Sequence, residues 1–150
     1  EMSDRIAAIA PVAGTMAIDD PQPKRPISVL HFHGTEDTLV PFDGQGKRSS
    51  ELLKFKSVPA TIDAWRRLNK CPDEPRVTEF PDKADDGTTV ERKTYAPCAS
   101  DTEVVLIEIK GGGHTWPGRQ PPVKFLGRST HDISACDLIW EFFEKHPMKP

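Results

Sequence analysis

The feature that most constrains this chain is a β-branched apolar run, residues 104–109, that stops in three consecutive glycines, Gly111, Gly112 and Gly113, followed by His114. The run suits a strand buried within a sheet. The glycines allow a sharp backbone turn at no steric cost, and the turn delivers one imidazole at its far end, stiffened by Trp116 and Pro117. Catalytic bases in α/β enzymes are commonly placed on such a strand end. The plainer alternative is a glycine-rich turn carrying a solvated histidine.

The other segments fit the same architecture. Residues 6–12 read as a short buried strand, and residues 14–26, with their prolines, as a connector. Residues 27–32 read as a second buried strand ending in His33-Gly34-Thr35-Glu36-Asp37. The loop that follows carries two acids, Asp37 and Asp43, around an apolar middle of Leu39, Val40 and Phe42. Residues 45–56 are polar and are expected to be mobile. Ser57 caps a helix over residues 58–68, with Val58, Ile62 and Trp65 on one face and Asp63, Arg66 and Arg67 outward. Residues 77–80 and 90–95 are expected to pair as a hairpin around Asp85-Asp86-Gly87, a surface excursion beside a cleft. A last helix starts near Asp132 as N-cap, burying Ile133, Cys136, Ile139, Trp140 and Phe143 and ending at His146-Pro147. Strands alternating with helices point to an α/β fold with a mostly parallel sheet, of which about three central strands are visible.

The 150 residues suffice for one domain with a real core. A net charge of −3 with scattered basic residues argues against a nucleic-acid partner, and no apolar run is long enough to span a bilayer. Cys71, Cys98 and Cys136 are an odd set. Cys71 and Cys98 flank the polar hairpin region, so the favoured pairing is Cys71–Cys98 with Cys136 a buried free thiol, in an oxidising compartment. Three reduced thiols in a reducing compartment are the alternative.

Two strand ends thus carry reactive groups, Asp37 and His114. An aspartate can fix an imidazole's tautomer and stabilise the imidazolium formed when the other nitrogen takes a proton. The order acid then histidine is the second half of the Ser…Asp…His order of α/β-hydrolases. The alternative is that Asp37 caps a turn and His114 binds nothing. His31 and His33 share one strand face, so they can also begin a metal site with Asp37 or His114, or be satisfied core residues.

At these residues the chain resembles a known family. The segment from His33 through Asp37 to Gly44 is similar to the acid-bearing loop of the polyhydroxybutyrate depolymerase and feruloyl esterase family of α/β-hydrolases. Gly111-Gly112-Gly113-His114-Thr115-Trp116-Pro117-Gly118 resembles that family's histidine loop. Residues 3–14 resemble the segment after its nucleophile helix, residues 139–143 its closing helix, and Cys71 with Cys98 its disulfide-flanked insert at about 71–98. The resemblance implies a carboxylic-ester hydrolase with a Ser-Asp-His triad and no cofactor or metal, in which Asp37 orients His114. It implies an aromatic acyl ester or polyester as substrate, with Trp116 a candidate contact to it, and a secreted or periplasmic location.

One departure matters for mechanism. No Gly-x-Ser-x-Gly occurs in the sequence, and Ser3, Ser28, Ser49, Ser50, Ser57, Ser100, Ser129 and Ser134 all lack the flanking glycines. The family's nucleophile elbow and oxyanion-hole loop precede the segment matched here. The expectation is therefore the C-terminal portion of a single α/β-hydrolase domain, residues 1–150, that is inactive alone because losing the nucleophile costs orders of magnitude. A binding or scaffold fragment whose exposed sheet edge pairs with another chain or self-associates is the non-enzymatic alternative, and a third reading is that the missing half is a separate polypeptide with which the active enzyme is reassembled. A metal-dependent hydrolase using His31 and His33 is the rival enzyme class.

Overall fold

The computed structural model describes residues 2–44 and 55–148. Residues 45–54, most of the stretch expected to be mobile, lie outside the described residues. The sheet consists of β1 (Ala8–Ile9), β2 (Ser28–Gly34), β3 (Arg76–Glu79), β4 (Thr89–Tyr95) and β5 (Val104–Lys110) in the order β1-β2-β5-β4-β3. The β1–β2 and β2–β5 pairs are parallel; β5–β4 and β4–β3 are antiparallel. The sheet is therefore mixed rather than mostly parallel.

The difference lies in the hairpin. Only the outer strand β3, exposed along its length, lies at the surface edge; β4 is no excursion but pairs along its whole length with β5, from Thr89↔Lys110 to Tyr95↔Val104. Its alternation places Val90 and Thr94 inward while its charged side chains answer those of β5, as in the Lys93–Glu108 ion pair at 2.6 Å. That charged ladder made the segment look like surface in sequence. Asp86 holds the hairpin loop, accepting from Thr88 N–H at 3.1 Å and its hydroxyl at 2.6 Å.

The strand expected over residues 6–12 shrinks to two half-buried residues and an isolated bridge from Val12 to Phe32. Pro11 lies between them and has no N–H to donate, although its carbonyl still accepts from Phe32 N–H at 3.0 Å.

Two helices cover opposite faces of the sheet. Helix α1 (Val58–Leu68) begins as its sequence dictates, with Ser57 Oγ accepting from Ala60 N–H at 3.2 Å. Val58 and Ile62 are buried and Trp65 half-buried, packed on Val29, Val104 and Leu106. Asn69 closes the helix and ties it to β2, its side-chain amide exchanging two hydrogen bonds with Ile27. The Cys71–Cys98 disulfide sits just beyond, linking the end of α1 to the end of β4 across 27 residues.

Helix α2 (Ala135–Lys145) corrects three expectations. Its N-cap is Ser134, whose hydroxyl accepts from Asp137 N–H, whereas Asp132 accepts from the N–H groups of Lys83 and Ala84 in the hairpin loop. Its buried stripe is Ala135, Leu138, Ile139 and Phe142, set against Leu30, Phe32 and Ile107. That is the 3.6-residue spacing, and it leaves Trp140 and Phe143 exposed and Cys136 an exposed thiol rather than a buried one. Among the described residues no helix is long and apolar enough to cross a membrane.

Candidate active site

Strands β2 and β5 are adjacent and parallel, with Gly34 opposite Ile109, so the loops that follow them leave the same end of the sheet side by side. They are stitched together. Thr35 N–H donates to Ile109 C=O at 2.9 Å, Glu36 N–H to Gly112 C=O at 2.8 Å, and Gly111 N–H to the Thr35 hydroxyl at 2.9 Å. The contact needs glycine: a Cβ on Gly34 would fall on the Gly112 carbonyl, and one on Gly113 on the Leu126 carbonyl. The outer side of the histidine loop is fixed by Gly113 N–H to Arg128 C=O and Gly118 N–H to Thr130 C=O.

This brings Asp37 and His114 together across 77 residues, with Nδ1 of His114 2.9 Å from Oδ2 of Asp37. The carboxylate is fully buried, whereas the His114 side chain is about one-third exposed (32%). Asp37 Oδ1 accepts from the N–H groups of Leu39 at 2.9 Å and Val40 at 2.8 Å. Burial pushes the carboxyl pKa up; hydrogen bonds from His33, the Val40 N–H, His114 and the Leu39 N–H outweigh it and hold the group below its ordinary value. Asp37 is thus an anion at neutral pH. With Nδ1 committed to it, proton transfer at His114 falls to Nε2.

A cavity of about 300 Å³ opens beside the imidazole, its walls formed by His114, Trp116, Val12, Ala13, Pro121 and Leu126 among others. Trp116 is 44% exposed there, and its carbonyl accepts from the Ser129 hydroxyl at 3.1 Å. Ala13 reaches this wall with φ of 53°, a left-handed conformation rare outside glycine, held by its N–H to Phe32 C=O at 2.9 Å. The irregular Pro121-Pro122 stretch and Ala13 were not singled out as site residues in sequence. Their only signals were proline content downstream of His114 and small residues around Ala13.

The remaining residues of the acid loop and the His31–His33 pair lie outside this cavity. Phe42 packs on the α1-side core and edge-on against the His33 ring, and Val40 anchors the acid loop; neither lines this cavity. Asp43 is exposed in the same loop. His31 and His33 do share a face, but they are turned to each other, Nε2 of His31 lying 3.1 Å from Nδ1 of His33. Among the described residues no group of three or more histidine, cysteine, aspartate or glutamate side chains is arranged to hold a metal ion.

No family model matches the chain. It is 31% identical over 154 aligned positions to the putative esterase NocK of Nocardia uniformis subsp. tsuyamanensis, covering 95% of this chain and 45% of that protein. It is 31% identical over 125 positions to feruloyl esterase B of Piromyces equi, covering 76% of this chain and 21% of that enzyme. Over 116 positions it is 23% identical to the bifunctional acetylxylan esterase/xylanase XynS20E of Neocallimastix patriciarum, covering 77% of this chain and 15% of that one. The chain spans less than half the length of each of these relatives. All three carry esterase names, and the similarities support a carboxylic-ester hydrolase family.

Proposed function

We propose that this chain is the C-terminal portion of a serine carboxylic-ester hydrolase, with Asp37 the orienting acid and His114 the general base of a Ser-Asp-His triad. The observation that carries this reading is the 2.9 Å bond between a buried, ionised Asp37 and a partly exposed His114 at the edge of a cavity. His114 Nε2 would take the proton of an upstream serine as it attacks the ester carbonyl. Asp37 stabilises the imidazolium, and His114 then protonates the departing alcohol. Water hydrolyses the acyl-enzyme by the same base in reverse.

Trp116 at the cavity wall is proposed to contact the acyl group or polymer chain. The similarity to a feruloyl esterase favours an aromatic acyl ester; a polyester of the polyhydroxyalkanoate kind is the other candidate, on the strength of the loop resemblance. The chemistry needs no metal or organic cofactor. The disulfide supports a secreted or periplasmic enzyme.

Residues 1–150 contain no nucleophile elbow, so the chain alone is expected to be inactive. The test is hydrolysis of a short-chain chromogenic ester by this chain, by the same chain joined to a nucleophile-bearing upstream segment, and by the His114→Ala form of each. The expected result is activity only in the joined protein, lost by about three orders of magnitude or more on His114→Ala. Activity in the chain alone that disappears with His114→Ala would mean that one of its own serines is the nucleophile.

A further inference from the structure

We propose that His33 and His31 are positioning residues for this site: two neutral, buried imidazoles in series that hold the Asp37 carboxylate from behind without neutralising it. The proposal rests on the reading of Asp37 and His114 given above.

Both rings are buried (His31 0%, His33 1% exposed) and stacked, with centroids 5.4 Å apart. Nε2 of His33 lies 2.8 Å from the Val40 carbonyl oxygen and 3.4 Å from Asp37 Oδ2. A carbonyl only accepts, so His33 Nε2 must carry a proton, and the same N–H faces both the acid loop and the carboxylate. A neutral His33 then has its lone pair on Nδ1. His31 Nε2, 3.1 Å away, must in turn be the donor, which leaves the lone pair of His31 Nδ1 without a partner. That nitrogen is indeed a buried polar atom with no hydrogen-bond partner among the described residues. The tautomer of each ring follows from one carbonyl oxygen.

The alternative, a cationic His33, would set a buried positive charge against the His31 ring and leave a His31 N–H, rather than a lone pair, unsatisfied. Burial first, and the neighbouring His33 second, depress His31 to a pKa of about 3, so His31 holds no charge at neutral pH. The carboxylate meanwhile accepts from the Leu39 and Val40 N–H groups on Oδ1 and meets His114 Nδ1 at Oδ2, and the His33 Nε2–H that is bonded to the Val40 carbonyl lies 3.4 Å from the same Oδ2. A lysine or arginine in the place of His33 would supply a donor and cancel the charge. A neutral imidazole supplies the donor and leaves the full negative charge for the imidazolium that forms at His114.

The test is nuclear magnetic resonance on the intact chain: the ¹⁵N pattern of the histidines, which reports tautomer and charge, and the ¹³C titration of the Asp37 carboxyl. Both are measured in the native protein, His33→Phe and His33→Gln. His31 and His33 should be neutral Nε2–H tautomers at neutral pH. His33→Phe removes one donor to the ionised acid and should move the Asp37 midpoint upward. His33→Gln, whose amide keeps an N–H near the place of Nε2, should bring the midpoint back toward the native value. A doubly protonated His33 at neutral pH, or an Asp37 midpoint unmoved by His33→Phe, would overturn the proposal. Its failure is separable from failure of the functional reading, since hydrolysis that survived His114→Ala would leave these resonances as they are.

Discussion

At the scale of single residues, two buried groups make the fold sensitive to acid in successive steps. His31 titrates near 6.5 when unfolded and near 3 when folded. The unfolded chain therefore binds the extra proton first, and stability falls as the pH drops from about 6.5 toward 3, at about 1.4 kcal/mol per pH unit. Asp37 has a folded pKa below its ordinary value of 3.8, so its contribution is complete above that value and is lost as the pH falls through the folded one. The two act in the same direction in adjacent windows. His31→Gln keeps a donor toward His33 but cannot titrate. Urea unfolding of this variant between pH 6.5 and 4 should show a shallower loss of stability than the native chain, by about 1.4 kcal/mol per pH unit. Equal slopes in the two proteins would show that His31 takes up a proton in the folded state as readily as in the unfolded one.

At the scale of elements, the site depends on two loops brought closer than side chains allow. Gly113→Ala would drive a methyl into the Leu126 carbonyl. It should cost about 1–3 kcal/mol in denaturant unfolding and weaken the Asp37–His114 bond, whose downfield Nδ1–H resonance should broaden or vanish. An unchanged midpoint and resonance would show that the loop gives way freely. The elements that carry these loops were legible in sequence because each announces itself locally: an apolar run ending in glycines, an acid just beyond a strand, a serine before Val58. What was not legible depends on partners distant in sequence. Residues 89–95 alternate charges that look solvated until β5 supplies the opposing Glu108. Trp140 and Phe143 look like core, but the helix turns Ala135, Leu138 and Phe142 inward instead, against Leu30, Phe32 and Ile107 of distant strands. That Asp37 and His114 come together was readable, since each follows one strand of the parallel β2–β5 pair. The roles of His31 and His33 were not, because same-face spacing alone does not say whether two rings face a metal or each other.

At the scale of the whole molecule, Asp37 and His114 meet only after 77 residues of chain have been looped out between neighbouring strands. Such an arrangement makes the site a late product of folding, since the entropy of closing a long loop must be met before any contact returns it. The disulfide lies inside that loop and removes 27 residues from the path between the two groups. By loop-closure scaling, an oxidised chain should form the β2–β5 pairing roughly twofold faster than a reduced one. Stopped-flow refolding followed by tryptophan fluorescence, with and without the bond, would measure it; equal rates would mean that the pairing is not rate-limiting. By that scaling the Cys71–Cys98 bond is a kinetic shortcut as well as a staple, since it shortens the length of chain that must close before Asp37 and His114 can meet.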